Sequence, residues 1–110
     1  MPAEEHSQAY QTYLEIVVRF PNVEIGTSDG LPAVRVGGKL LSRLRVRSDG
    51  ALALRYEIAE RDRLIAQAAD AFFVPEIYRT YPLVLVRLEQ VDVTQLSEVV
   101  ARAYEQLTAQ

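Results

Sequence analysis

The chain has no cysteine and no tryptophan, and only one histidine and one methionine in 110 residues. Without cysteine it forms no disulfide, carries no thiolate nucleophile and builds no cysteine metal site. The single histidine, His6, falls within residues 1–6, a terminal stretch expected to fray. Ser-His-Asp and Cys-His chemistry both need a base held rigidly against its nucleophile, so neither is offered. Zinc sites draw on several His or Cys ligands, which are missing. No apolar run approaches the ~18 residues of a membrane span. The opening Met1-Pro2-Ala3-Glu4-Glu5 is acidic where a secretory leader would be basic, so the expected address is the cytoplasm. Gly37-Gly38-Lys39 has the look of a phosphate loop, but Ala33 stands where that pattern needs its first glycine, and no Ser or Thr follows Lys39. Carboxylate pairs (Glu4 with Glu5, Glu60 with Asp62) fall at exposed or helix-start positions, where they complement a helix dipole. No catalytic residue, metal ligand or cofactor motif is assigned.

What is present is an ordinary globular composition. Hydrophobic residues make up 49% and charged residues 25%, which argues against disorder. The length suits one domain spanning 1–110, with a monomer the expected state. Net charge is −3, on its face unfavourable for nucleic acid. The distribution is polarised, however. Residues 35–55 hold six basic side chains (Arg35, Lys39, Arg43, Arg45, Arg47, Arg55) against Asp49, a net of +5. The remainder holds six basic and fourteen acidic residues, a net of −8.

Apolar periodicity orders the elements. Tyr10, Tyr13, Leu14 and Val17 form one stripe of a helix over 7–19, with Ser7 as its cap and Phe20-Pro21 as its stop. Residues 24–27 read as a short strand before a Ser28-Asp29-Gly30 turn. Residues 31–36, 39–47 and 51–56 alternate with period two. Val34, Val36, Leu40, Leu44, Val46, Leu52, Leu54 and Tyr56 make the inner face, and Arg35, Lys39, Arg43, Arg45, Arg47 and Arg55 the outer. Three-residue loops, 37–39 and 48–50, are expected to pair Val36 with Leu40 and Val46 with Leu52. That register sets Arg43 across from Arg55, an unfavourable like-charge pair that Glu57 on the diagonal would relieve. A second helix is expected over 59–69 with Leu64, Ile65 and Ala68 inward. Extended chain at 72–74, an aromatic loop at 75–82 and a covered strand at 83–88 follow. Asp92 and Gln95 then open a final helix with Val93, Leu96, Val100, Ala103 and Leu107 on its buried stripe.

Two features invite a functional reading. The basic face is either a solvated lattice of ion pairs or a surface for an anion such as phosphate, DNA or an acidic protein segment. The loop residues Phe72, Phe73, Tyr78 and Tyr81, with Arg79 among them, either close the core over one end of the sheet or stack a planar ligand.

The order of local motifs resembles the MmcQ/YjbR family. The matching stretches are Phe20-Pro21, 24–28, Pro32-Ala33, 36–40, Leu44-Arg45, Glu60-Arg61-Asp62, Phe73-Val74, Tyr78 with Tyr81-Pro82, and 85–88. One place departs: Ile77 stands where many relatives have a histidine before the tyrosine. The resemblance implies an α+β two-layer fold, helices on one face of an antiparallel sheet, similar to secretion chaperones and frataxin-like proteins. It also implies a DNA-binding role, which would reside on Arg35, Lys39, Arg43, Arg45, Arg55 and Arg87. The expected function is therefore a binding protein for DNA or another polyanion. A protein-interaction adaptor is the alternative.

Overall fold

A computed structural model describes residues 7–110 of the chain. His6, Glu4 and Glu5, and with them the expected frayed end, lie outside the described residues. Ten elements follow one another: α1 (Gln8–Val17), β1 (Val23–Ser28), β2 (Leu31–Val36), β3 (Lys39–Leu44), β4 (Leu52–Arg55), α2 (Ile58–Gln67), β5 (Phe72–Phe73), a 3₁₀ turn (Glu76–Tyr78), β6 (Leu83–Val86) and α3 (Val93–Thr108). The strands form one antiparallel sheet in the order β1-β2-β3-β4-β6-β5. The helices pack against it to give the expected two-layer α+β fold.

Helices α1 and α3 begin at side-chain caps. The Ser7 side chain accepts from the Tyr10 amide, and Asp92 accepts from the Thr94 amide. Their apolar stripes converge on the inner sheet face. Tyr10, Tyr13 and Val17 from α1, and Leu96, Val100, Ala103 and Leu107 from α3, meet Val34, Val36, Leu44, Leu52, Leu54, Val84 and Val86 in one core. Burial of each large aliphatic side chain contributes about 1.5–3 kcal/mol. A buried polar pair there is satisfied: the Tyr13 hydroxyl and Ser42 Oγ lie 2.6 Å apart. Val93, expected on the α3 stripe, is instead exposed at its first turn.

The sheet register departs from the expectation at both hairpins. Gly37 and Gly38 form a two-residue turn, both with positive φ, that pairs Val36 with Lys39. The slip this would cause is absorbed by a β-bulge: Arg35 faces Leu40, Val34 faces Ser42, and Leu41 is the extra residue. Parity is thereby restored, so Ser42 and Leu44 point inward. Leu40, expected in the core, is 37% exposed, and Leu41 is buried. Lys39 shares the face of Val36 and stands apart from the outer arginines.

At the second hairpin β3 ends at Leu44, three residues earlier than expected. Leu44 pairs with Leu52 and Arg43 with Ala53. A loop replaces the tight turn, with Ser48 and Gly50 amides both donating to the Arg45 carbonyl. Val46 leaves the sheet and is 45% exposed. The expected Arg43–Arg55 opposition does not occur. Glu57 caps α2, its amide donating to Gln106 Oε1, rather than sitting diagonal to Arg43.

Candidate functional site

The outer sheet face is laid out by the pairing just described. One row crosses it as Gly26, Ala33, Arg43, Ala53, Leu85 and Phe73. Arg43 thus lies between two alanines, whose methyls leave a trough on either side of its stem. Arg35 and Arg55 share its face at alternate positions. Leu85 belongs to this outer row, yet is fully buried, so the face is covered on the β5–β6 side.

The aromatic loop stands beside the arginines. Tyr78 and Tyr81 meet edge to face at 5.8 Å, and the Arg45 guanidinium lies 5.7 Å from the Tyr78 ring centroid. Arg43, Arg45 and Arg47 line one groove of about 270 Å³ with Leu31, Ser48 and Tyr78. Arg47 reaches the Asp29-Gly30 turn: a Cβ on Gly30 would sit 3.3 Å from its guanidinium, and Gly30 holds φ +79 besides. The positive φ disfavours any side chain there, whereas the Arg47 guanidinium, at the end of a flexible stem, needs to give only a few tenths of an ångström.

Partners of the basic side chains divide into two kinds. Arg43 pairs with Asp29 at 3.2 Å, and Arg45 with Asp49 at 3.0 Å while also donating to Ser48. Acids therefore do interleave the arginines at these two points. The others bond to uncharged groups: Arg35 to the Thr27 carbonyl, Arg55 to the Gln110 side chain, Arg87 to the Ala69 and Asp70 carbonyls. Arg87 also covers the Phe73 ring at 3.9 Å. Arg47 pairs with no carboxylate among the described residues. Arg79 faces Glu76 at 3.9 Å, away from the Arg43 groove.

A charged residue that the sequence reading passed over organises the loop. Arg61 on α2 is 1% exposed and donates to the carbonyls of Arg79, Tyr81 and Leu83, with Asp62 as its counterion. A signal for it exists, because residues 61, 64, 65 and 68 form one helical stripe with Arg61 at its head. Of the carboxylates set aside earlier, Asp62 serves Arg61, and Glu60 makes a two-point pair with Arg102 of α3. That pair draws the Glu60 pKa down to about 2 through the Arg102 hydrogen bonds. Among the described residues, no cluster of three or more His, Cys, Asp or Glu side chains is placed to hold a metal ion. None of their helices is long and apolar enough to cross a membrane.

No protein-family profile matches the sequence, and no curated protein matches it. Among solved structures the chain is similar to Deinococcus radiodurans protein DR2400, a DUF419-domain protein. The two share 16% identity and superpose with a TM-score of 0.70 over 86% of this chain and 75% of that one. This likeness establishes the fold alone: the two chains share one α+β architecture.

Proposed function

We propose that the chain is a binding protein whose outer sheet face takes an anionic partner, DNA or another polyanion, with its centre at Arg43. The observation that carries this reading is the convergence of Arg43, Arg45 and Arg47 on one groove beside Tyr78. Guanidinium groups are weakly hydrated, fork-shaped donors that suit phosphate oxygens. Their present partners do not preclude exchange. Asp29 is 85% exposed, and an exposed ion pair is worth ~0–1 kcal/mol. Charge polarity adds to the argument, since a basic sheet on a net-acidic chain steers a polyanion to one side.

The DUF419 architecture and the run of motifs together support reading the chain as a divergent member of the MmcQ/YjbR-like group. The test of function is a fluorescence-anisotropy titration of single-stranded and duplex DNA at low salt. Saturable binding that Arg43→Glu and Arg47→Glu each weaken about 10-fold supports the reading. Binding indifferent to both substitutions, or none at low salt, removes it.

A protein partner is favoured by a separate observation: Ile77 and Tyr81 are exposed at 72% and 54% on the same loop. That alternative predicts that Ile77→Asp abolishes capture of a partner while leaving DNA affinity unchanged.

A further inference from the structure

On the other flank of Arg43 the sheet carries a second recess, unlike the arginine groove in chemistry. It has a volume of about 240 Å³. Leu40 forms one wall, carried there by the bulge in β3, and Ala53 forms the floor. Tyr81 and Leu83 form the opposite wall, and Arg43 and Arg55 stand on the rim. Ala53 makes the recess possible, because a larger side chain at that point of β4 would fill it. Two of the exposed large apolar side chains of the molecule, Leu40 and Tyr81, meet here.

We infer that this recess is a binding site for a small apolar carboxylic acid: a single ring or branched body with one carboxylate. The apolar body fits between Leu40, Ala53 and Leu83, with the Tyr81 ring alongside. Burying it removes the leucine and tyrosine surfaces from water. The carboxylate lies at the rim, where a guanidinium fork gives two parallel charge-assisted bonds. Both rim arginines are available on modest terms. Arg55 is held only by a 3.4 Å bond to the neutral Gln110 amide, and Arg43 only by exposed Asp29. The far wall is rigid in advance, since the buried Arg61 grips the carbonyls of Tyr81 and Leu83 at 2.9 and 3.2 Å. A preformed wall spares the ligand the cost of ordering a loop. Charge selects the acid over its neutral counterparts. Size selects one ring over two, given the recess volume.

This site shares Arg43 with the proposed polyanion face but does not depend on it. The experiment titrates phenylacetate and its neutral isostere phenylacetamide into the full chain through the millimolar range, read by amide chemical shifts. The expected result is saturable shifts confined to residues 40–43, 53–55 and 81–83, with the amide at least about 10-fold weaker. Ala53→Leu fills the recess without altering charge, and Arg55→Gln removes a rim cation at an exposed position. Each is expected to weaken phenylacetate about 10-fold. Arg47→Glu, which lies outside the recess, weakens DNA binding but leaves phenylacetate affinity unchanged, so the two proposals fail separately. Equal binding of acid and amide, shifts scattered over the surface, or undiminished binding by both variants would overturn the site.

Discussion

Arg61 donates a hydrogen bond of 2.9 Å to the carbonyl of Tyr81, twenty residues away, from a position almost wholly shielded from solvent. The same guanidinium holds the carbonyls of Arg79 and Leu83, so one side chain of α2 sets the path of the aromatic loop into β6. A buried charge of this kind is tolerable only because all three of its nitrogens donate to oxygen, in four hydrogen bonds.

Removing that charge leaves three carbonyls short of a donor and Asp62 without its counterion. Arg61→Met is expected to lower unfolding free energy by about 3 kcal/mol, and Arg61→Lys by somewhat less, since an ammonium lacks the planar fork. Denaturant unfolding monitored by circular dichroism checks this. A loss below about 1 kcal/mol for Arg61→Met contradicts it.

The Glu60–Arg102 pair fixes the behaviour in acid. The Glu60 pKa is lowered to about 2, chiefly by the Arg102 hydrogen bonds, while the unfolded chain titrates near the ordinary value of about 4.3. Its contribution to stability is therefore fully present above about pH 4.3 and is lost as pH falls through about 2. Glu60→Gln is expected to be less stable than the parent at pH 6 and to show a shallower loss between pH 4 and 2. Parallel acid limbs for the two proteins would contradict the assignment.

At the alkaline end the sign reverses. Burial pushes the Tyr10 pKa up to about 12 and that of Tyr13 above the usual phenol range. Groups raised on folding stabilise below their unfolded value, about 10, and that contribution is lost as pH rises from there toward the folded values. Tyr13→Phe strips the hydroxyl from Ser42, which is left buried, and is expected to cost about 1–2 kcal/mol at pH 7. The same variant is expected to lose less stability than the parent between pH 10 and 11.5. Urea midpoints at those three pH values measure both effects.

Much of this architecture was legible in the chain. The 3.6-residue stripe led by Tyr10 and Tyr13, and the Asp92 cap, placed α1 and α3 within about two residues. Alternation across 31–36 and 51–56 gave a sheet with arginines on one side. What escaped detection has physical causes. A bulge at Leu40-Leu41 undoes a one-residue slip, so two neighbouring leucines that look interchangeable take opposite fates, and no local pattern reveals which strand carries the extra residue. Val46 looked like core by parity alone, but the chain had already left the sheet to form the Arg45–Gly50 loop. Arg61 was missed because a charge at the head of an apolar stripe reads as exposed until the loop carbonyls that receive it are known. Asp29, distant in sequence from the basic segment, is the acid that meets Arg43, whereas Glu57 is drawn into a helix cap.

Asp29 offers a gain-of-affinity test. It occupies a left-handed position, φ 53, in the two-residue turn before Gly30, where Asn is accommodated equally well. Asp29→Asn therefore keeps the turn while freeing Arg43 and adding one positive charge to the face. DNA affinity is expected to rise several-fold at low salt with no more than about 0.5 kcal/mol change in stability. Unchanged or weaker binding speaks against Arg43 as the centre.

The most direct measurement is the salt slope of single-stranded DNA binding by the parent protein, Arg43→Glu and Asp29→Asn. Three phosphate contacts from Arg43, Arg45 and Arg47 predict that log K falls with log salt at a slope of about −2. The slope should become shallower in Arg43→Glu and stay near the parent value in Asp29→Asn, which binds more tightly at each salt concentration. A slope near zero in the parent, or one slope shared by all three proteins, would mean that the arginine groove does not bind phosphate.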